Sequence, residues 1–307
     1  MPAIVVVGSI NADLFTTLPH WPARGETIAA TAFTESPGGK GANQAIAAAR
    51  LGASVCFIGA VGDDARGETL AQTLADEGIA LTLARKPGVS SGLALIDIGP
   101  DGDNLIRLVG GANQALTVAD VPEAPFAGAD IVLLQNEIPL AVSLAAAHAA
   151  KRAGAMVIMD PAPAPTSPWP RDTLSAFDLI TPNATEAAQL TGIPITTREE
   201  GLRAAKALAT HTGGGALITL GPLGAAWFTP TDGEGHCAPP PAKTVDTVAA
   251  GDCFNAALAV AMSQRHPFPA AASFACQAAA LSTTRPGSVA ALPFASELTP
   301  PPSTSTT

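Results

Sequence analysis

The chain contains no tyrosine and has few aromatic or charged residues. Of its 307 residues, 4% are aromatic and 14% are charged, whereas 47% are hydrophobic. A disordered chain lacks the apolar surface that offsets chain entropy, so this composition excludes a largely disordered protein. Two average domains would fit this length, but α/β folds often use it for one core with a small appendage, which is what we expect.

Two other features are missing. The net charge is −10, and no cluster of lysine and arginine is present that could neutralise a nucleic-acid backbone. Every apolar stretch is interrupted by a charge, a glycine or a proline before it reaches the roughly 20 residues that cross a bilayer. We therefore expect neither a nucleic acid nor a membrane as a partner.

Cysteine is also scarce. The four cysteines, Cys56, Cys237, Cys253 and Cys276, show no C-x-x-C spacing, and no signal peptide precedes the first predicted strand. This pattern predicts free thiols in a reducing cytoplasm.

Short β-branched runs alternate with alanine-rich segments along most of the chain. The first run, IVVVG at residues 4–8, is too short for a helix and is typical of a strand buried on both faces. Similar runs lie at residues 55–58, 131–134, 156–159, 179–180 and 217–219. The alternation predicts an α/β fold with a doubly wound, mainly parallel sheet flanked by helices.

Two regions, at about residues 10–36 and 90–109, break this alternation. Each contains a turn sequence, PARG at 22–25 and PDGD at 100–103, and resembles a hairpin. We expect them to form a small β-sheet lid beside the strand ends where ligands bind. The predicted organisation is one domain over residues 1–298, followed by a disordered tail rich in proline, serine and threonine at 299–307.

A turn of small residues precedes an alanine-rich helix near residue 250. The amides at such a helix start, and its dipole, suit a phosphate, and the small side chains of residues 249–251 let the backbone approach closely. Asp252 within this anion site is either an ordinary helix cap or a group that takes part in chemistry.

A second glycine-rich segment, GGKGANQ at residues 38–44, also leads into a helix. It lacks the spacing of a P-loop, and tight packing alone explains many such segments. However, a buried Lys40 and Asn43 would need polar partners, which the hydroxyls of a polyol could supply.

Further polar residues follow predicted strands, namely Asn11 and Asp13, then Glu137, then Asn183 with Glu186. The last pair could hold Mg²⁺ through waters or could simply cap a helix. Residues 217–224 form a strand with a G-x-x-G turn, whose amides could meet a nucleotide.

Four of these stretches, at residues 8–13, 38–44, 180–186 and 246–255, occur together and in order. In this combination the chain resembles the ribokinase-like sugar kinase family over about residues 3–295. Weaker likeness at residues 160–163 and 219–221 links the four stretches.

The resemblance implies an α/β core with a β lid that pairs subunits into a homodimer. It also implies phosphoryl transfer from ATP to the terminal 5-hydroxyl of a pentose, D-ribose first, with Mg²⁺ and K⁺.

The resemblance further assigns roles to residues. Asp252 would be the catalytic base, and the amides of Ala249, Ala250 and Gly251 would form the anion hole. The implied sugar ligands are Asn11, Asp13, Gly39, Lys40, Asn43, Glu137 and Asp252. The implied nucleotide site contains Asn183, Thr219, Gly221, Gly224, Gly251 and Asn255; the implied metal ligands are Asn183 and Glu186 for Mg²⁺, and Asp246, Val248, Arg285 and Gly287 for K⁺.

The chain departs from the family pattern at four positions. Cys253 and Ala256 replace a threonine and a glycine, small changes that catalysis should survive. Cys276 lies where the adenine is expected and a histidine is common, so base contacts should differ. Ala291 replaces a serine whose oxygen helps to hold K⁺.

Several functions stay open. The same scaffold could phosphorylate deoxyribose, another sugar such as a ketohexose, or a nucleoside, although the scarcity of aromatic residues favours a free sugar. A non-catalytic sugar-binding protein is a further alternative. Such a protein would have no need of both Asp252 and Glu186.

Overall fold

The computed structural model describes residues 3–301. The part of the predicted disordered tail at residues 302–307 lies outside the described residues. The strands are β1 Ala3–Val7, β2 Asn11–Thr17, β3 Ala32–Gly38, β4 Ser54–Gly62, β5 Ala80–Lys86, β6 Gly92–Ile98, β7 Asn104–Val109, β8 Ile131–Gln135, β9 Met156–Asp160, β10 Leu179–Ile180, β11 Gly215–Thr219, β12 Ala225–Thr229 and β13 Gly233–Cys237. The helices are α1 Lys40–Arg50, α2 Ala65–Asp76, α3 Leu140–Arg152, α4 Arg171–Leu174, α5 Ala184–Thr191, α6 Arg198–Ala209, α7 Ala250–Ser263 and α8 Phe268–Ser282.

A large sheet forms the centre of the molecule. Within residues 3–301 it has nine strands in the order β13-β12-β11-β10-β9-β8-β1-β4-β5. The strands from β11 to β5 are parallel, and β12 and β13 add an antiparallel edge. This confirms the predicted doubly wound, mainly parallel sheet.

Each predicted run forms a strand because its side chains are buried on both faces of the sheet. In β1, Ile4 and Val6 face a core shared with α1, α2, α7 and α8, while Val5 and Val7 face a core shared with α3, α5 and α6. The sequence runs did not reveal β5, β12 and β13. Of these, β5 and β13 lie at the sheet edges, where one side is unpaired and a continuous apolar run is not required, and β12 pairs with β13 in the antiparallel hairpin at one edge.

The two regions outside the alternation form a second sheet, as predicted. Its order is β3-β2-β6-β7. The pairs β2–β3 and β6–β7 are antiparallel, whereas β2 and β6 pair in parallel. Both edge strands expose apolar side chains, with Phe33 60% and Ile106 52% exposed.

No helix in the described part of the chain is both long enough and apolar enough to cross a membrane.

Candidate active site

The candidate site lies where the strand order reverses. The chain passes from β1 to β4 and β5 on one side of the sheet, and later fills the other side from β8 to β11. At such a switch point the connections leave in opposite directions and open a crevice at the carboxyl ends of the strands. The segments that follow β1, β8, β9, β10 and β11 all end at this crevice.

Asp252 lies in the first turn of α7, which approaches the crevice. The helix is preceded by Ala249, whose φ of 60° places a non-glycine residue in the left-handed region. A strained backbone of this kind persists only where the surrounding structure imposes it, and such positions are concentrated at functional sites. Among residues 3–301, the amides of Gly251 and Asp252 have no hydrogen-bond acceptor, while the Ala250 amide donates to the Thr247 carbonyl at 3.3 Å. Of the three amides predicted to form the anion hole, that of Ala250 is therefore already engaged, whereas that of Gly251 is free among the described residues.

The Asp252 carboxylate is buried and held by two amide donors. Asn43 Nδ2 donates to its Oδ2 at 2.9 Å, and Gln44 Nε2 donates to its Oδ1 at 3.3 Å. Gln44 also donates to Asp160 Oδ2 at 3.0 Å and accepts from Gln135 Nε2 at 2.7 Å. The bond from Gln135 fixes the direction of the Gln44 amide, so its NH₂ group faces both carboxylates.

The electrostatics of this cluster are dominated by carboxylates around one lysine. Burial raises the pKa of Asp252, although Lys40 and the amide of Asn43 oppose the rise. Burial also raises the pKa of Asp160 well above its usual value. Burial disfavours the charged form of Lys40, but Asp252, Asp160 and the other nearby carboxylates outweigh it and raise the pKa of this amine. Lys40 therefore stays cationic and Asp252 becomes a stronger base than an exposed carboxylate.

Asn11 and Asp13 lie on the same side of β2 and are both buried. Oδ1 of Asn11 accepts from Asn113 Nδ2 at 2.7 Å, which directs the Asn11 NH₂ group elsewhere. Burial, together with Glu137 and Asp252, raises the pKa of Asp13 to about 7.

Three buried oxygens in this cluster have no hydrogen-bond partner within the described residues. They are Oδ1 of Asp13, Oδ1 of Asn43 and Oε1 of Gln135. An unpaired buried oxygen is costly, so these atoms indicate a place for a polar ligand.

Gly39 shapes the entrance of α1. Its φ is 88°, and a β-carbon at this position would lie 2.8 Å from the Asn11 backbone nitrogen. Only glycine lets the two segments approach this closely. Glu137 ties the same segments together, since its Oε2 accepts from Ser9 Oγ at 2.5 Å and from the Lys40 amide at 3.2 Å.

Asn183 and Glu186 form a capping box at the start of α5. Asn183 Oδ1 accepts from the Glu186 amide at 2.9 Å, and Glu186 Oε2 accepts from the Asn183 amide at 2.9 Å. The cap interpretation is thus confirmed, and within residues 3–301 no donor contacts the other carboxylate oxygen, Glu186 Oε1. Burial raises the pKa of this carboxyl. In the described part of the chain no group of three or more histidine, cysteine or acidic side chains could hold a metal.

A pocket of about 460 Å³ lies on the other side of the α7 N-terminus. It runs between the turn after β11, the segment after β13, and α7 with α8. Neither Asn183 nor Asn255 is in its wall; Asn255 is buried, with its side-chain oxygen unpaired among the described residues. The wall contains four residues that were predicted as nucleotide contacts, namely Thr219, Gly221, Gly224 and Gly251. Phe254 and Cys276 also line it.

The first turn of α7 joins the two halves of the site. The Gly251 backbone faces open space in the pocket, because no described residue beyond its own helix turn has an atom within 4 Å of where a β-carbon would be. The next side chain, Asp252, points into the polar cluster with Asn43 and Gln44. One residue step therefore separates a backbone that lines the pocket from a buried carboxylate.

The predicted K⁺ segments also lie together. Asp246 accepts from the Val248 amide at 3.0 Å and from the Gly287 amide at 2.8 Å. Among the residues that the structure describes, the carbonyl oxygens of Val248, Arg285 and Gly287 receive no hydrogen bond. Ala291 is buried and offers no side-chain oxygen.

Three residues of the cluster had no predicted role. Gln44 and Asp160 lie within stretches that carry the family resemblance, and Gln135 ends a predicted strand. A polar residue at the end of an apolar strand was the available signal. The hydrogen bonds that join Gln44 to Gln135 and to Asp160 span 91 and 116 residues of sequence, which no local pattern reveals.

Comparisons with known proteins agree with this geometry. The model of the pfkB family carbohydrate kinase matches residues 1–295. A ribokinase from Haemophilus influenzae is 37% identical over 302 residues, covering 96% of both chains, and a deoxyribokinase from Salmonella typhi is 35% identical over 293 residues, covering 94% of this chain and 95% of that one. The structure of Arabidopsis thaliana ribokinase complexed with ribose and ATP superimposes with a TM-score of 0.88 at 35% identity, covering 96% of each chain.

The family match spans nearly the whole described chain, and the resemblance inferred from four short stretches is confirmed. The chain belongs to the pfkB family of carbohydrate kinases.

Proposed function

We propose that this protein transfers the γ-phosphoryl group of ATP to the 5-hydroxyl of D-ribose, giving ribose 5-phosphate. The observation that carries the proposal is the position of Gly251 and Asp252. The first faces the pocket and the second faces the polar cluster, so that a nucleotide and a sugar would meet across the start of α7. The similarity to ribokinases supports ribose as the sugar.

In this proposal the sugar occupies the cluster of Asn11, Asp13, Gly39, Lys40 and Asn43. The unpaired oxygens of Asp13 and Asn43 would accept hydrogen bonds from sugar hydroxyls, and Lys40 would donate them. Glu137, which already holds the Lys40 amide, has a second oxygen for the sugar.

Asp252 would accept the proton of the attacking hydroxyl. A carboxylate is a far weaker base than an alkoxide, so the proton should move late, as charge leaves the attacking oxygen. The free amides of Gly251 and Asp252, with that of Ala249, would stabilise the charge that develops on the transferred group. Positioning and charge neutralisation supply most of the rate in such reactions.

The nucleotide would occupy the pocket lined by Thr219, Gly221 and Gly224, with its adenine near Cys276. Asn183 and Asn255 would act outside the wall of this pocket, Asn183 through the metal. Mg²⁺ commonly binds one or two carboxylates together with phosphates and waters, and the free Oε1 of Glu186 fits that role.

K⁺ would bind beside the anion hole, at the Asp246 carboxylate and the carbonyls of Val248, Arg285 and Gly287, which receive no hydrogen bond within residues 3–301. Oxygen ligands of this kind suit a hard cation. Ala291 leaves the site one oxygen short of the family pattern, so we expect weaker activation by K⁺.

The small sheet would act as a lid for one domain over residues 1–298 and would pair two subunits. Its apolar edge residues support this proposal, because exposed apolar patches mark interaction surfaces. We also propose a cytoplasmic location, which the four free cysteines support.

A coupled assay of ADP release tests the proposed substrate. D-ribose, 2-deoxyribose, fructose and adenosine would each be supplied with ATP and Mg²⁺, with and without K⁺. We expect kcat/KM to be highest with D-ribose. Deoxyribose is the second candidate because of the deoxyribokinase relative, and a higher kcat/KM with it would replace ribose in the proposal. Sugar binding without ADP release would instead favour a non-catalytic binder.

A further inference from the structure

Two cysteines that are distant in sequence meet at the edge of the proposed nucleotide pocket. Cys237 ends β13 and Cys276 lies in α8, and their Sγ atoms are 2.9 Å apart. Both side chains are buried, at 9% and 4% exposure. Within the structure all four cysteines are free, so the two sulfurs form a pair of neighbouring thiols.

Both cysteines are coupled to the pocket wall. Cys276 is itself part of the wall, and Cys237 contacts it from outside the lining. A β-carbon on Gly224 would lie 1.9 Å from the Cys237 carbonyl oxygen, so the turn of residues 221–224 rests directly on this end of β13. A shift of either cysteine therefore moves a surface that we propose contacts ATP.

We propose that Cys237 and Cys276 form an oxidative modification site that closes to a disulfide in reaction with a peroxide and thereby weakens nucleotide binding. The chemistry of the two thiols stands on its own, and the effect on binding rests on the proposed nucleotide site.

The reaction needs only the two thiols and one peroxide. The Cys237 thiolate attacks hydrogen peroxide, the O–O bond breaks, and the products are a sulfenic acid and hydroxide, which takes up the thiol proton as water. The Cys276 sulfur then attacks the sulfenic sulfur, the S–O bond breaks, and water leaves with the second proton. Two electrons pass from the thiols to the peroxide, giving one disulfide and two waters.

We assign Cys237 as the attacking sulfur, since the Cys276 thiol, 2.9 Å away, can donate a hydrogen bond to its thiolate. The adjacent Cys276 thiol lowers the pKa of Cys237, whereas the contact with Cys237, together with burial, raises the pKa of Cys276. The thiolate is the nucleophile in such reactions. Burial raises the pKa of Cys253 to about 12, so this residue is a poor competitor.

Closure would draw the two walls together. A disulfide has an S–S length of about 2.05 Å, so the sulfurs would approach by about 0.9 Å from their present separation. Because Cys276 and the turn of residues 221–224, which rests on Cys237, both line the pocket, this movement changes the shape of the space for the nucleotide. The sugar cluster lies across α7 and should be unaffected.

The first experiment measures the chemistry without any assay of activity. The full chain is treated with hydrogen peroxide, the remaining thiols are titrated, and peptides are mapped by mass spectrometry. We expect a cross-linked peptide containing both cysteines, which dithiothreitol removes. Cys56→Ser should still form it, and Cys237→Ser should not. Oxidation of Cys56 in the wild type without any cross-link between Cys237 and Cys276 would overturn the proposal.

The second experiment measures the effect by calorimetric titration of ATP and of D-ribose into reduced and oxidised protein. We expect the Kd of ATP to rise several-fold on oxidation, to return after reduction, and to stay constant in peroxide-treated Cys237→Ser. The Kd of D-ribose should not change. A formed cross-link with an unchanged Kd of ATP would overturn the effect on binding. Reduced protein that binds no ATP would instead contradict the proposed function, while peptide mapping would still decide whether the disulfide forms.

Discussion

The side-chain amide of Gln44 bridges two buried carboxylates, with its Nε2 3.0 Å from Asp160 Oδ2 and 3.3 Å from Asp252 Oδ1. A single NH₂ group thus contacts the proposed base and a second acid that contacts no nucleotide or sugar in our proposal. Because Gln135 holds the other end of the amide, Gln44 is held in one orientation. It therefore both positions the carboxylate of Asp252 and favours its charged form. We therefore expect Gln44 to act as a positioning residue whose loss changes the pH dependence of kcat.

Gln44→Leu should shift the acid limb of the kcat profile to higher pH. The hydrogen bond from Gln44 stabilises the ionised form and lowers the pKa of Asp252, so its loss raises that pKa further. Asp252 would act as a base only in its ionised form. The kcat of the variant should therefore be reduced at low pH and approach that of the wild type as pH rises. We expect a shift of about one pH unit, since one hydrogen bond to a charge is worth roughly 1.4 kcal/mol or more.

The matched control is Gln72→Leu. Gln72 bonds Asp76 on the exposed face of α2, and its loss should leave the profile unchanged. A uniform fall in kcat at every pH for Gln44→Leu would contradict the positioning role.

Asp13→Asn should stabilise the ligand-free protein while weakening sugar binding. The folded protein keeps the Asp13 proton up to about pH 7, whereas the unfolded chain releases it near its ordinary pKa of 3.8. The folded state therefore binds more protons over this range, and stability falls as pH rises from about 4 to about 7. Asparagine removes this cost, which is up to about 4 kcal/mol at neutral pH.

Urea unfolding at pH 4 and pH 7.5 checks this prediction. The stabilisation should be present at pH 7.5 and nearly absent at pH 4, and Asp76→Asn on the surface should show neither effect. The KM for D-ribose should rise by about ten- to a hundredfold, the loss expected for a hydrogen bond to a charged group. An unchanged KM would remove Asp13 from the sugar site.

Ala291→Ser should strengthen activation by K⁺. The substitution would add a hydroxyl oxygen near the carbonyls of Val248 and Gly287, which receive no hydrogen bond among the described residues. We expect a lower K⁺ concentration for half-maximal kcat, measured with Na⁺ or choline keeping ionic strength constant. Ala290→Ser, at an exposed neighbouring position, is the control. Equal K⁺ dependence in both variants and the wild type would argue against this cation site.

The sequence predicted the parts of the fold that depend on continuous burial. Val5 and Val6 lie on opposite faces of β1, both buried, which is why a short apolar run identifies the strand. The edge strand β13 contains Gly233, Glu234 and His236 and has no such run, so its pairing becomes visible only in three dimensions.

The site residues likewise fall into those that local sequence predicts and those that only the three-dimensional contacts reveal. Asp252 and Lys40 were predicted from helix starts and motif order. The bridge made by Gln44 and the meeting of Cys237 with Cys276 depend on contacts between distant segments, and their residue types alone are also common in ordinary cores.

The most direct test of the account is the kcat of Asp252→Asn with D-ribose and saturating ATP. The variant keeps the shape of the side chain and should fold, since burial already disfavours the charged carboxylate. Calorimetry should show that it still binds both substrates. We predict that kcat falls by roughly 10² to 10⁴, the usual contribution of a positioned base. A kcat close to that of the wild type would contradict the assignment of Asp252 as the base.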